Sequence, residues 1–280
     1  MKLTLDVENT TTKRDGKLHL DPFEPDNSLT MVGMLNDRGE ERIITFDHSE
    51  VDADTDGHLV VQDWLDQATV LICHNVAHDL LWLWESGFKY DGAVFDTMLV
   101  EYVLQRGLKE PLSLEACAER YNLDTKKQDT LKDYFKRGYN TRDIPHAELS
   151  EYLSADLHAT QQLADRLWQR LNSVADTGLL STARLTNRVA KCLTKIYQTG
   201  FAVDLSKLDE VRTEFEQEKQ QLISDLQAHV RRVMGDTPIN LNSPEQLSWV
   251  IYGRKVIDKH DWATLIDPYM PDDEFMQLVA

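Results

Sequence analysis

The sequence predicts an α/β fold in which a mixed β-sheet is flanked by helices, followed by a smaller all-helical module. Short strand-like segments dominate the first fifty residues, and strands and helices alternate after them. Hairpin strands followed by such alternation are typical of a mixed sheet covered by helices. Near residue 176 the pattern changes to long apolar stripes at helical spacing. We therefore expect two domains, at residues 1–175 and 176–280.

Three strands are predicted first. Residues 2–8 alternate apolar and polar side chains, and residues 30–35 and 42–46 are rich in strand-forming residues. Residues 36–39 have the composition of a hairpin turn between the second and third strands. The polar segment 9–28 is predicted to be a loop.

Strands and helices are then predicted to alternate along the rest of the first domain. The order is a helix at 60–67, a strand at 69–73, a helix at 77–85, a strand at 93–95, and helices that begin at 97, 111 and 145. In the second domain, apolar stripes at 185–196 and 208–233 predict two long antiparallel helices. Gly200 and Asp204 separate them.

The formal net charge of −18 by itself argues against a nucleic-acid partner, since DNA binding relies on Lys and Arg. The objection weakens where acidic residues hold divalent cations, which invert the local field. It also weakens because basic residues are clustered. Seven lie between positions 120 and 142: Arg120, Lys126, Lys127, Lys132, Lys136, Arg137 and Arg142.

The sequence does not predict a membrane protein. No apolar run approaches the roughly 20 residues that a membrane-spanning helix needs. Asp6 interrupts the first apolar stretch, which a secretory signal does not tolerate. We therefore expect a cytoplasmic protein.

The first chemical motif is the pair Asp6 and Glu8. A spacing of two on a strand points both carboxylates to one face. Acids near the centre of a sheet are costly unless they are neutralised, and divalent cations would neutralise them. The alternative is an edge strand with a solvated acidic face.

The second motif, Asn75 and Asp79, follows a predicted buried strand and opens a helix. Strand ends are where α/β folds place their chemistry. The alternative is that Asn75 caps the helix and Asp79 interacts with its dipole. His74 and His78 are four residues apart, but neither an HExxH pattern nor a third ligand supports a zinc site.

The third motif is Tyr152 and Asp156, which share one face of a helix at a spacing of four. The alternative is a partly buried tyrosine beside a solvated acid. Together the motifs place four acids on three separated elements of one domain. Such a set can hold two divalent cations, Mg²⁺ or Mn²⁺, for phosphodiester hydrolysis.

These three motifs, in this order and at these separations, resemble the DEDD group of 3′-5′ exonucleases. A tyrosine four residues before the last acid is similar to the tyrosine subtype, whereas the histidine subtype would place His at position 151. The resemblance covers about residues 3–170 and implies a ribonuclease-H-like fold. Two further segments, 95–99 and 112–115, are also similar to the group.

The resemblance implies a role for each motif residue. Asp6, Glu8 and Asp156 would hold the cation that generates the nucleophile, and Asp6 would bridge to a second cation. Asp79 would hold that second cation through waters. Tyr152 would orient the attacking water.

The implied substrate is the 3′ end of single-stranded DNA. Asn75 would contact the strand, and Asn9 and Thr10 stand where many members of the group have Thr directly after the Glu. The basic stretch is interleaved with aromatic residues, a combination that suits single strands, so Lys132, Lys136 and Arg137 are candidate contacts. The alternative for that stretch is a solvated amphipathic helix.

Residues 197–204 and 239–247 resemble the start of the thumb of family A DNA polymerases, and the domain order resembles compact phage-type enzymes. The alternative is a generic helical hairpin followed by a capped helix. Palm and fingers are absent from the sequence, so we expect them as partners in cis or on a separate chain. Two other functions stay open: an RNA-processing exonuclease close to ribonuclease D, and a strand-binding or assembly module without catalysis.

Overall fold

The computed structural model describes residues 1–123, 129–173, 177–235 and 238–252. Contacts between Cα atoms divide the chain into two compact units, Met1–Gly200 and Phe201–Ala280. Within the described ranges, no helix combines the length and the apolar character needed to cross a lipid bilayer.

The first unit contains a five-stranded sheet, a separate two-stranded hairpin and seven α-helices among the described residues. Its strands are β1 (Lys2–Asn9), β2 (Thr12–Arg14), β3 (Lys17–His19), β4 (Leu29–Asn36), β5 (Glu41–Thr45), β6 (Val70–Cys73) and β7 (Ala93–Asp96). Its helices are α1 (Gly57–Gln67), α2 (Val76–Glu85), α3 (Thr97–Leu104), α4 (Leu114–Arg120), α5 (Asp129–Lys136), α6 (His146–Leu171) and α7 (Leu180–Thr199). The second unit contains α8 (Leu205–Met234) and α9 (Pro244–Ile251).

The five-stranded sheet has the order β5-β4-β1-β6-β7, so β1 lies at its centre. β1 pairs antiparallel with β4 and parallel with β6, and β7 pairs parallel with β6. The sheet is therefore mixed, and the predicted fold class is confirmed. The central position also removes the edge-strand alternative for Asp6 and Glu8.

The two faces of β1 pack against different helices. Leu3, Leu5 and Val7 are buried in a hydrophobic core that includes Leu80 and Leu83 of α2. On the other face, the hydroxyl of Thr4 hydrogen-bonds the side chain of Gln161 in α6. Because side chains alternate along a strand, Asp6 and Glu8 also point towards α6.

Gly33 of β4 allows α6 to lie close to the sheet beside Asp6. Gly33 is the antiparallel partner of Asp6 in the β1–β4 register. A Cβ atom at this position would lie 2.8 Å from Cγ of Leu153 and 2.9 Å from Cδ1 of Leu157. The missing side chain therefore sets the distance between the sheet and α6, which carries Tyr152 and Asp156.

The segment 9–28 was predicted to be a loop, but it contains the β2–β3 hairpin. Asp15 and Gly16 connect the strands with φ values of 51° and 75°. Positive φ at both central residues is typical of a type I′ turn, for which Asp-Gly is a preferred sequence. The prediction missed this turn because the flanking strands have only three residues each.

The compact first unit ends at Gly200, after the predicted domain boundary at residue 175. α7 belongs to this first unit, where its buried Ala183 packs with Leu163, Leu167 and Leu171 of α6. In the second unit, the carboxylate of Asp204 accepts a hydrogen bond from the amide of Lys207 and caps α8. The predicted antiparallel packing of the two long helices relates the two units and stays a prediction.

Candidate active site

The site begins where β1 extends beyond its neighbour β6. Their pairing ends at Thr4 and Ile72, so the later residues of β1 have an open edge on this side. The amide of Val7 at this edge donates to Oδ1 of Asp6 at 3.1 Å and to Oδ1 of Asp79 at 3.3 Å. One donor shared by two carboxylates brings the first and second motifs together.

Asp79 reaches this position because α2 starts directly after β6. Asn75, between the two elements, has the left-handed conformation with φ 80° and is exposed. Its side chain makes no capping hydrogen bond, so the predicted alternative of an Asn75 cap is not what forms the turn. Asp79 lies in the first helical turn and is only 1% exposed.

The third motif lies on α6, across the face of the sheet that carries Asp6 and Glu8. The hydroxyl of Tyr152 hydrogen-bonds Asp156, as the spacing of four residues predicts. Both side chains are partly buried. Leu153 and Leu157, the residues that follow them, are fully buried against the sheet and hold this stretch of α6 in place.

Neighbouring carboxylates raise the pKa of Asp6, Glu8 and Asp79. Burial, and then the charge of Asp156, raise the pKa of Asp6 to about 7. Burial and the neighbouring charges of Asp6 and Asp156 raise the pKa of Glu8 well above its ordinary value. Burial and the charge of Asp6 do the same to the pKa of Asp79. The acids are thus electrostatic neighbours, and their ionised forms repel one another.

No basic side chain in the described part of the chain forms an ion pair with Asp6, Glu8 or Asp79. Buried carboxylates that lack such a partner are the donor set that a hard divalent cation prefers. Among the described residues, however, no group of three His, Cys, Asp or Glu side chains is already arranged to hold a metal ion. The metal-ligand assignment therefore stays a prediction.

Tyr152 is held in its neutral form. Burial, and then the charges of Asp156 and Glu8, raise its pKa further above the ordinary value for tyrosine. A phenol that stays protonated at neutral pH keeps its hydrogen-bonding O–H group. The position of Tyr152 beside the carboxylates is therefore suited to orienting a polar reactant.

Asn9 and Thr10 lie next to the site but are turned inward. Asn9 is 7% exposed and donates to the carbonyl groups of Thr10 and Leu20. Thr10 is 1% exposed, and its hydroxyl is hydrogen-bonded to Ser28. Their side chains are occupied, which leaves backbone groups as the candidate contacts for a substrate at this point.

The two histidines of the second motif fix loops. Nδ1 of His74 is 2.8 Å from the hydroxyl of Thr97, and its Nε2 is 2.9 Å from the carbonyl of Leu112. Nε2 of His78 is 2.9 Å from Oδ1 of Asn9. Burial lowers the pKa of both imidazoles, which favours their neutral form. The ring nitrogens of His74 and His78 therefore have partners within the protein, and these contacts give no support to a zinc site.

The basic stretch is partly described. Lys126 and Lys127 lie outside the described residues, as does the side chain of Lys132. In α5, Leu131 is buried in a cluster with Leu149 and Leu153, against which Tyr152 packs. α5 is therefore anchored beside the tyrosine of the site.

The other two basic candidates are Lys136, the last residue of α5, and Arg137, which follows it. Lys136 forms an exposed ion pair with Asp133 at 3.3 Å. The guanidinium of Arg137 lies 5.5 Å from the ring centroid of Tyr134. Lys136 and Arg137 are thus solvated cations near the cluster that supports Tyr152. Contact between these two side chains and a substrate stays a prediction.

Asp96 supports the site, although it belongs to none of the three motifs. It is 1% exposed, and its carboxylate accepts from the amides of Asn75, Val76 and Leu99. The amide of Asp96 in turn donates to Asn187 of α7 at 2.6 Å. The signal in the sequence was an acid at the end of a strand directly before a helix, which is a common cap.

We expect Asp96→Ala to lower both stability and activity. It leaves the amides of Asn75 and Val76 without their acceptor, so the free energy of unfolding should fall by roughly 2–3 kcal/mol. The turn that presents Asp79 should loosen, and catalysis should slow. Asp204→Ala, which removes a side-chain cap from α8, is the matched control, because it should lower stability less and leave catalysis unchanged. Urea denaturation and a nuclease assay measure both effects, and unchanged activity in Asp96→Ala would contradict the supporting role.

Comparison with known proteins adds to this geometry. A family model described as 3′-5′ exonuclease, which represents DNA polymerase A exonuclease domains, matches residues 30–172, just over half of the chain. DNA polymerase I of Chloroflexus aurantiacus is 29% identical over 191 residues, 66% of this chain. DNA polymerase I of Bacillus subtilis is 26% identical over 167 residues, 59% of this chain. The chain spans 19% and 18% of the length of these two relatives.

Solved structures share the fold. One is the polymerase domain of Pol1 from M. smegmatis in complex with DNA primer-template and dNTP. It has a TM-score of 0.57 at 21% identity, and the matched region covers 99% of this chain and 43% of the Pol1 chain. Brucella melitensis NrnC with bound Mg²⁺ has a TM-score of 0.50 at 20% identity and covers 72% and 88%. A structure described as the apo form of the nuclease has a TM-score of 0.51 at 19% identity and covers 72% and 87%.

Proposed function

Because the chain belongs to the 3′-5′ exonuclease family of DNA polymerase A, we propose that it hydrolyses the 3′-terminal phosphodiester of single-stranded DNA and releases 5′-mononucleotides. The observation that carries this proposal is the set of four carboxylates, Asp6, Glu8, Asp79 and Asp156, which lie in electrostatic contact without a basic partner for the first three among the described residues. We further propose that the chain is part of a family A polymerase and that it works in the cytoplasm.

The proposed ligands are two divalent cations, Mg²⁺ or Mn²⁺. Asp6, Glu8 and Asp156 would hold one, and Asp6 and Asp79 the other. Such ions activate a water and stabilise the leaving oxygen during phosphodiester hydrolysis. The carboxylates fit this role because mutual repulsion and burial raise their pKa values, and a bound dication would relieve both effects.

Tyr152 contributes a neutral hydroxyl beside Asp156 and Glu8. Its O–H group would position the attacking water with respect to the terminal phosphodiester. Asn75 is exposed at the turn before α2 and would contact the terminal nucleotide. Lys136 and Arg137 would bind phosphates of the approaching strand, and backbone groups at Asn9 and Thr10 would meet the 3′-hydroxyl.

Degradation of end-labelled oligonucleotides tests the proposed reaction. The full chain, incubated with single-stranded DNA and Mg²⁺ or Mn²⁺, should shorten the strand from its 3′ end, and EDTA should stop the reaction. Faster degradation of RNA of the same sequence would favour the ribonuclease D-like alternative. Binding without cleavage would favour the non-catalytic strand-binding module, and either result would overturn the proposal.

Tyr152→Phe should slow hydrolysis by roughly a hundredfold, because only the hydroxyl that positions the water is removed. Cation binding, measured by calorimetry with Mn²⁺, should not change, since Tyr152 is not a proposed ligand. Tyr134→Phe is the matched control: Tyr134 packs against the same hydrophobic cluster, but its hydroxyl donates to Glu148. Equal rates for wild type and Tyr152→Phe would refute the water-positioning role.

A further inference from the structure

A groove with a volume of about 1350 Å³ lies within the first unit, along the edge strand β7. One wall is α7, and the other walls come from the end of α2, residues 88–95 and the end of α6. None of the proposed catalytic residues lines it. The groove is therefore a separate feature of the molecule.

The α7 wall is basic. Arg184, Arg188, Lys191 and Lys195 line the groove at spacings of four, three and four, which places them on one face of the helix. α7 itself contains no acidic residue. Together with Lys89, five basic side chains line the groove, against two acidic ones, Asp66 and Asp91. The chain as a whole has a net charge of −18. A local reversal of this size attracts a polyanion.

Two of the cations are held inside the groove. Nζ of Lys191 is fixed by Asp91, at 2.8 Å from Oδ1. Nζ of Lys195 lies 5.0 Å from the ring centroid of Trp84. These contacts orient the basic wall with respect to the aromatic side chains opposite.

The two arginines have no such partner. Arg184 and Arg188 are exposed, and neither forms an ion pair or a hydrogen bond with another described residue. Guanidinium groups in this state are available for phosphate oxygens, which they bind in a bidentate fashion.

Aromatic side chains line the opposite side. Trp168 at the end of α6 is 43% exposed and packs edge-to-face on Phe95, with ring centroids 6.2 Å apart. Trp84 and Tyr90 line the groove nearby. Trp168 is the exposed ring among them, since Tyr90 is only 6% exposed and Lys195 lies over Trp84. Cations along one wall and an exposed tryptophan on the other match the way proteins bind single strands without reading their sequence.

The groove is well separated from the carboxylates. Trp168 follows Asp156 by twelve residues on α6, which corresponds to about 18 Å along the helix axis. We propose that this groove is a second binding surface for single-stranded DNA, which holds a part of the strand distant from the end that is cleaved. Binding in the groove requires no cleavage and goes beyond the proposed hydrolysis, whereas the position of the bound segment relative to the cleaved end rests on that proposed function.

Binding in EDTA tests this groove without any catalysis. Anisotropy of a labelled oligothymidylate should show that the double variant Arg184→Glu and Arg188→Glu binds roughly tenfold more weakly than wild type, with a salt dependence shallower by about two. The control is Arg38→Glu with Arg42→Glu, which makes the same charge change on exposed residues near β5, at the opposite edge of the sheet. Equal losses in both double variants would show a general charge effect and overturn the proposal.

Cys192 reports on the groove directly, because it is exposed and lines the wall, whereas Cys73 and Cys117 are buried. Oligothymidylate should slow the reaction of Cys192 with a maleimide several-fold in wild type but not in the Arg184 and Arg188 double variant. If the strand binds but Cys192 reacts at an unchanged rate, DNA lies elsewhere and the proposal fails. If a poly-glutamate peptide of equal charge protects Cys192 as well as DNA does, the groove binds an acidic protein segment instead.

Discussion

Asp6→Asn is expected to reduce exonuclease activity by roughly a thousandfold and, in the absence of metal, to make the protein more stable. The loss of activity follows because a bridging carboxylate that supports charge in the transition state contributes several kcal/mol. The gain in stability follows because asparagine keeps the shape of the side chain and removes a buried charge that Asp156 repels. A residue that only stabilises the fold would not give this combination, because its substitution would lower activity and stability together.

The raised pKa of Asp6 determines how the stability difference between wild type and Asp6→Asn changes with pH. Burial raises the pKa of Asp6 from 3.8 to about 7, so the folded state binds the proton more tightly than the unfolded state does. The stabilisation from this tighter proton binding is fully present below the pKa of Asp6 in the unfolded state, and it is lost as the pH rises through about 7, the pKa in the folded state. Wild type should therefore weaken relative to Asp6→Asn between pH 5 and pH 8, by about 1–3 kcal/mol.

Urea denaturation in EDTA at both pH values measures this difference, and added Mg²⁺ should reverse it in favour of wild type. Asp165→Asn is the matched control, since Asp165 is an exposed acid of α6. If Asp6→Asn is as active as wild type, or is less stable than wild type in EDTA at pH 8, the proposed role of Asp6 is wrong.

Gly33→Val should impair catalysis from a position that touches no substrate. The new side chain would meet Leu153 and Leu157 at less than 3.0 Å, so α6 would have to move away from the sheet. We expect a loss of stability of about 1–3 kcal/mol from overpacking. We also expect activity to fall by roughly a hundredfold, because a displacement of about 1 Å is enough to misplace Tyr152 and Asp156.

A smaller substitution at Gly33 and a control substitution at another glycine test this prediction. Gly33→Ala should give a smaller loss than Gly33→Val in both stability and activity. Gly178→Ala is the matched control, since a Cβ atom there would meet nothing within 4 Å. Full activity of Gly33→Val at a temperature where it is folded would show that the spacing between α6 and the sheet is not critical.

Much of the fold was predictable because its signals are local. The alternation of β1, the buried run of β6 and the regular leucines of α6 depend on burial at fixed periods, and each predicted element is present. The resemblance to a 3′-5′ exonuclease domain and to family A DNA polymerases is confirmed by the family match and by the polymerase relatives. The ribonuclease-H-like fold class is confirmed by the nuclease structures that share it.

The features that the sequence did not reveal depend on distant parts of the chain. The central place of β1 in the sheet, which leaves Asp6 partly buried, follows from pairing with both β4 and β6. The close approach that Gly33 permits is a contact across 120 residues of sequence with Leu153. Asp96 and Asn187 meet across 91 residues, and neither spacing nor periodicity identifies such a pair. The local sequence pattern indicates which side chains are candidates for catalysis. The residues that hold those side chains in position are determined by tertiary contacts.

The bond between Asp96 and Asn187 has a practical consequence for dissecting the protein. A fragment that stops at residue 175 would lose α7, leave the amide of Asp96 without its acceptor, and uncover the side of α6 on which Ala183 packs. A fragment that runs to Gly200 keeps both. We expect the shorter recombinant piece to aggregate and the longer one to give a dispersed amide NMR spectrum, so the smallest piece that folds should include α7, a helix beyond the residues 30–172 that the exonuclease family model matches.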